Sequence, residues 1–114
     1  MKYLKKFESE IDSEDKLFDE IKKKASYYKD NYQNKFVIMK YYNEIYLAKI
    51  IRVASHAFIA KIDFFEWDDY YQGYSVDSSD AIHINEFVVL DSFDNIKNAK
   101  EAYDIMITAK KYNI

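Results

Sequence analysis

A single glycine, Gly73, stands in a chain of 114 residues that holds no proline and no cysteine. That scarcity narrows the available architectures before any pattern is read. Without cysteine there is no disulfide scaffold, thiolate zinc site, iron–sulfur cluster or cysteine nucleophile. One glycine cannot build a dinucleotide-binding fingerprint or a phosphate-cradling loop, because both need several glycines for close backbone approach. The chain must be held by its apolar core, and a domain of this length buries about two-thirds of its unfolded surface, enough to fold unaided. No run approaches the ~18 apolar residues of a membrane-spanning helix. The N-terminus is polar and acid-bearing, unlike a secretory leader. A soluble, cytoplasmic domain covering residues 1–114 is therefore expected.

Period then places the elements. Leu17, Phe18, Ile21, Ala25 and Tyr28 form a helical stripe, with Glu14 and Asp15 before it and Lys22, Lys23 and Lys24 towards its end, matching the helix dipole. Leu4, Phe7 and Ile11 extend the spacing upstream, with Glu14 as the flaw in a heptad seam. Residues 1–30 are thus helical, either as one helix or as a pair broken at Asp12–Ser13, whose side chains favour a cap and a break. A coiled-coil homodimer and a monomer both fit.

Residues 35–90 read as sheet. Phe36–Tyr41, Ile45–Val53 and Ala57–Phe65 are rich in β-branched and aromatic residues and joined by short turns, and Ala81–Leu90 reads as a fourth strand. Between the last two, residues 66–80 carry acids, serines and the one glycine without apolar period, and so read as a long acidic loop. Residues 94–112 form a last helix, with Ile96, Ala99, Tyr103, Met106 and Ile107 on one face and Ser92–Asp94 as its cap. The expected class is α+β: N-terminal helix or helical pair, three- to four-stranded antiparallel sheet, C-terminal helix, in two layers.

Charge is distributed unevenly along this order. Residues 35–62 hold five Lys and Arg against Glu44 alone, net +4, whereas residues 63–94 hold nine acids and no cation, net −9. The whole chain shows only −3. The 12 Tyr and 8 Phe have a bland source in AT-rich codons, but codon usage does not choose positions. Within the acidic segment, Asp63, Glu66, Asp68, Asp69, Asp77 and Asp80 alternate with Trp67, Tyr70, Tyr71 and Tyr74. Aromatic side chains anchor protein interfaces and carboxylates steer them towards basic surfaces, so these ten residues are the candidate partner-binding set.

Other chemistries find less support. Ser55 and His56 are adjacent, but neighbours in an extended segment face opposite ways and no glycine forms an elbow around any serine. Acidic side chains abound, yet none is placed in a setting that would desolvate it for acid–base work. No enzymatic activity and no obligatory cofactor are expected. Asp77, Asp80 and His83 offer a possible divalent site, zinc with His83 and calcium without it, although the spacing matches neither signature. Antiparallel pairing of the third and fourth strands would put His83 beside Asp63, Glu66, Asp68 and Asp69, with His56 about 25 Å away. Lys49, Arg52 and Lys61 among Tyr41, Tyr42 and Tyr46 offer a weaker alternative, base stacking on a basic sheet.

In its size, its lack of Cys and Pro, its AT-rich composition and its acid–aromatic block Asp63–Asp94, the chain resembles small acidic inhibitors encoded by phages and mobile elements of low-GC Gram-positive bacteria. The anti-CRISPR proteins that block RNA-guided nucleases belong to that group. The resemblance is one of general character without a shared motif, so no residue role carries over. It implies stoichiometric binding to a basic protein, such as the nucleic-acid surface of an RNA-guided nuclease in the bacterial cytoplasm. Separately, Phe87–Ala102, with FDNIKNAKEA, is similar to the strand–helix joint of many small sheet domains, including the DNA-binding domains of phage integrases.

Overall fold

In a computed structural model, which describes residues 2–112 and the side chains of residues 16–110, seven elements follow the chain. They are α1 (Lys2–Tyr32), β1 (Phe36–Tyr41), β2 (Glu44–Ala54), β3 (Ile59–Asp68), β4 (Gly73–His83), β5 (Phe87–Phe93) and α2 (Ile96–Tyr112). The class is α+β, with a five-stranded antiparallel sheet ordered β4-β3-β2-β1-β5 rather than three or four strands.

α1 runs through Asp12–Ser13 without a break. Asp and Ser each cost only a few tenths of a kcal/mol in a helix interior, and neither glycine nor proline is there to stop it. The upstream seam side chains Leu4, Phe7, Ile11 and Glu14 lie outside the described residues. Further along, Ala25 and Tyr28 are buried, while Leu17 and Phe18 on the same stripe are exposed.

Strand alternation assigns the two helices to opposite faces. Val37, Met39, Ala48, Ile50, Ala60 and Ile62 form one buried cluster with Ala25 and Tyr28 of α1. Ile38 and Leu47, paired across β1 and β2 and also buried, lie outside that cluster on the other face. α2 packs there against β1, β2 and β5, with Ala99 buried and Tyr103 Oη reaching the Ile45 carbonyl at 3.5 Å. The arrangement is helix–sheet–helix, three layers and not two. The sheet's second face is apolar enough to need its own cover. The cap of α2 is Asn95, whose Oδ1 accepts the Asn98 N–H at 2.9 Å, while Asp94 is ion-paired with Lys35.

Residues 66–80 are not a loop. They belong to a β3–β4 hairpin that turns over residues 69–72, with Asp68 opposite Gly73. β4 is an edge strand exposed along most of its length, so neither of its faces requires apolar alternation. Acids and serines on such an edge discourage pairing with other chains.

The expected fourth strand, Ala81–Leu90, likewise divides: it ends β4, turns over residues 84–86 and begins β5 at the opposite sheet edge. That short link has a geometric consequence. His83 aligns through Ile59 with Ala54, and Phe87 aligns through Tyr41 with Glu44. Glu44 and Ala54 are the two ends of β2, roughly 33 Å apart at ~3.3 Å per residue. Four steps of chain span at most ~14 Å. A flat sheet cannot satisfy both, so this one coils until its diagonal corners meet around the α1-covered core. Register shifts in three of the four strand pairings supply the added twist. Phe87, at the end of the link, packs on Tyr28 with ring centroids 5.5 Å apart.

Candidate functional site

The acidic and aromatic residues divide into two places along the β3–β4 hairpin. β3 pairs with β2 only as far as Phe64, which faces Ala48. Beyond it the hairpin leaves β2 and continues alone, with a bulge between Phe64 and Phe65. The bulge bends the free arm across to α2, where Trp67 and Tyr74 meet edge to face at 5.4 Å. Lys100 Nζ lies 4.6 Å from the Trp67 ring centre and 5.7 Å from that of Tyr74. Tyr74 Oη donates to Asp104 Oδ1 at 3.0 Å. Burial first, and then this bond to an anionic acceptor, push the Tyr74 hydroxyl up to about 12.

Trp67 and Tyr74, two of the aromatic anchors expected for a partner, are therefore engaged within the fold. The indole N–H of Trp67 donates to Asp69 Oδ1 at 2.7 Å, and the indole remains 39 % exposed. Tyr70 and Tyr71 at the tip are free, 86 % and 76 % exposed, with rings edge to face at 4.9 Å. Asp68 Oδ1 orders that tip by accepting the N–H of Tyr70 at 2.9 Å and of Tyr71 at 3.4 Å. Asp63 is a partner of Ser79 at 2.5 Å near the base of the hairpin.

Where the arm separates from β2, a cleft of about 420 Å³ opens. Tyr41, Tyr46 and Phe64 form one wall. Tyr41 stacks on Phe64 at 6.3 Å with an interplanar angle of 24°, and Tyr46 meets Phe64 edge to face at 5.3 Å. Glu44, Glu66, Asp77 and Asp80 supply carboxylates, and no Lys or Arg lines the cleft. Tyr46 Oη donates to Glu44 Oε2 at 2.9 Å. That bond, then burial, raises the Tyr46 hydroxyl. Tyr41 is raised by burial and by its neighbours Tyr42, Glu86 and Asp80, and Tyr103 by burial and then Asp104, Glu44 and Glu66. All three phenols titrate upward, with nearby carboxylates contributing at each.

The metal set is not assembled. β3 and β4 are antiparallel as expected, but the hairpin turns at residues 69–72, so His83 faces Ile59 at the far end from Glu66, Asp68 and Asp69. It lies towards the His56 end of β3, against Phe58, and its Nδ1 accepts the Asn85 N–H at 3.1 Å. Asp77, Asp80 and His83 follow one another roughly 10 Å apart along β4. Among the described residues no three His, Cys, Asp or Glu side chains converge on a point.

The basic residues are dispersed. Lys35 pairs with Asp94, and Lys49 lies 5.1 Å over Phe36 and faces Asp63 across the ladder. Arg52 faces Lys61, an exposed like-charge pair. Among the described residues no helix is long and apolar enough to cross a membrane.

Sequence reading missed the cleft, because its aromatic wall comes from β1, β2 and β3 and its carboxylates mainly from the hairpin. The available signal is the tyrosine density around Tyr41–Tyr46, which in sequence lies closer to Lys40 and Lys49 than to any acid of the hairpin. Comparison with known proteins found no matching family, no matching curated protein and no matching solved structure.

Proposed function

We propose that this protein acts by stoichiometric binding, docking the tip and outer edge of its β3–β4 hairpin on a basic protein surface. The observation that carries the reading is the arm itself: it leaves the sheet, is braced on α2, and presents Tyr70 and Tyr71 exposed above Asp68 and Asp69. From Ile62 to Ile96 the chain contains no Lys or Arg, so the arm has one sign of charge along its length. A rigid aromatic pair loses little rotamer freedom on docking, and the surrounding carboxylates steer the encounter.

Large basic grooves belong above all to nucleic-acid enzymes, and an anti-CRISPR-like inhibitor of an RNA-guided nuclease is the concrete form of this proposal. Titration of the protein into a nuclease cleavage assay, using enzymes from low-GC bacteria, should abolish cutting near one equivalent. Combined Tyr70→Ala and Tyr71→Ala substitution should raise the required concentration at least tenfold. Full cleavage by every enzyme at tenfold excess overturns the inhibitor reading. Equal potency of the tip variant overturns the assignment of the surface.

A second reading rests on Arg52 facing Lys61, since like charges opposite each other on a sheet are destabilising unless something anionic is gained. Binding of single-stranded oligonucleotides that weakens with salt would support it. No mobility shift at low salt removes it.

A further inference from the structure

We infer that the cleft between β2 and the root of the hairpin is an arginine-binding site, which takes a guanidinium group from the basic partner. Its partner rests on the docking reading above; its chemistry does not.

The walls impose the choice of ligand. Tyr41 and Phe64, stacked at an interplanar angle of 24°, both line the cleft, and an aromatic ring attracts a cation through its quadrupole. Four exposed carboxylates line the same cleft, and Glu44, Glu66, Asp77 and Asp80 form no ion pair among the described residues. A concave site lined by one sign of charge focuses its field and concentrates counter-ions. Anionic ligands are thereby repelled, and a neutral apolar ligand would leave the carboxylates uncompensated.

Among cations, guanidinium fits best. It is planar, stacks on aromatic faces, and carries donors in a fork that matches a carboxylate, whereas ammonium is a compact and strongly hydrated point charge. Glu44 is already oriented by Tyr46 Oη through one oxygen, Oε2, which leaves Oε1 to accept from the ligand. The volume of about 420 Å³ lies within the ~300–1,000 Å³ range of small-ligand clefts. The hairpin root supplies Glu66, Asp77 and Asp80, so occupation of the cleft and docking of the tip share one rigid element.

The test is an NMR titration of the full chain with N-acetyl-arginine methylamide, its isosteric but neutral citrulline counterpart, and the lysine and trimethyllysine counterparts. The arginine compound should saturate and shift the ring resonances of Tyr41, Tyr46 and Phe64, with citrulline at least tenfold weaker. Glu44→Gln and Asp80→Asn, both at exposed positions, should each weaken binding at least threefold, and Asp19→Asn, exposed on α1, should leave it unchanged. Citrulline matching arginine overturns the site, as does Asp19→Asn weakening binding as much as Asp80→Asn. Tighter binding of lysine or trimethyllysine overturns the guanidinium assignment. Failure here leaves the nuclease assay with the Tyr70 and Tyr71 variant standing, and failure of that assay leaves this titration standing.

Discussion

Tyr74 on β4 and Asp104 on α2 are joined by a 3.0 Å hydrogen bond, which ties the free arm of the hairpin to the helix behind the sheet. Tyr74→Phe removes that bond and keeps the ring, so a stability loss of about 1 kcal/mol is expected at pH 7 in urea melts.

The same residue has an alkaline signature. Its hydroxyl is raised from 10 in the unfolded chain to about 12 in the fold, and Tyr32 is raised to about 12 by burial and its tyrosine neighbours. A raised value means that the stabilisation is complete below pH 10 and drains away as pH climbs from 10 towards 12. Melts at pH 9, 10 and 11 should show this decline, and Tyr74→Phe should make it shallower. A variant with the same alkaline slope would show that Tyr74 is not the group responsible.

Lys100 over Trp67 and Tyr74 gives the arm an optical reporter, because Trp67 is the only tryptophan. Lys100→Ala should cost about 0.5–1 kcal/mol and shift the tryptophan emission without changing the circular dichroism of the sheet. Unaltered emission would mean that the cation does not sit over the ring in solution.

Phe87 closes the coiled sheet on Tyr28 and is 1 % exposed. Truncation to alanine leaves a void between α1 and the sheet corner, and a loss of about 3–5 kcal/mol is expected from chemical denaturation. Val88 next to it is 53 % exposed, and Val88→Ala should cost well under about 1 kcal/mol.

The turns invert the usual role of glycine. Five residues with side chains, Asn34, Tyr42, Asn43, Phe58 and Gln72, take left-handed conformations, whereas Gly73 does not. A Cβ at Gly73 would meet nothing closer than the Tyr71 carbonyl oxygen at 4.0 Å. Gly73→Ala should therefore be neutral or stabilising by up to about 1 kcal/mol. Gln72→Gly should relieve about 1–2 kcal/mol of left-handed strain, less the entropy glycine returns to the unfolded chain. Thermal melts of the two single variants decide both.

These contrasts show which parts of the structure local pattern could carry. Ile21, Ala25 and Tyr28 announce a helix because one of its faces meets the core, and β1 to β3 are legible because burial of Val37, Met39, Ile50 and Ile62 demands β-rich sequence. β4 is illegible for the converse reason: Ser75 to Ala81 face water on both sides, so nothing selects alternation. The turn after His83 is hidden because Ile82, Ile84 and Phe87 are all buried on the same core, so only Asn85 and Glu86 interrupt the apolar positions at the change of direction. The ten docking candidates were legible as a charge and aromatic pattern. Their division into tethered Trp67 and Tyr74, free Tyr70 and Tyr71, and cleft-lining Glu66, Asp77 and Asp80 depends on the bulge at Phe64–Phe65, which local composition does not encode.

The position of β5 also sets an order of events during synthesis. β1 is an interior strand of the finished sheet, yet its outer partner is the last strand to be made. The chain between Tyr41 and Phe93, from the end of β1 to the end of β5, takes roughly 3–10 s to emerge at ~5–20 residues per second. During that interval the hydrogen-bonding edge of β1 stands open and Ile38, on the face that α2 later covers, is exposed, a template for pairing with another nascent chain. For this protein the hazard of misassembly is concentrated before the ribosome has finished, and slower translation beyond Tyr41 would lengthen it.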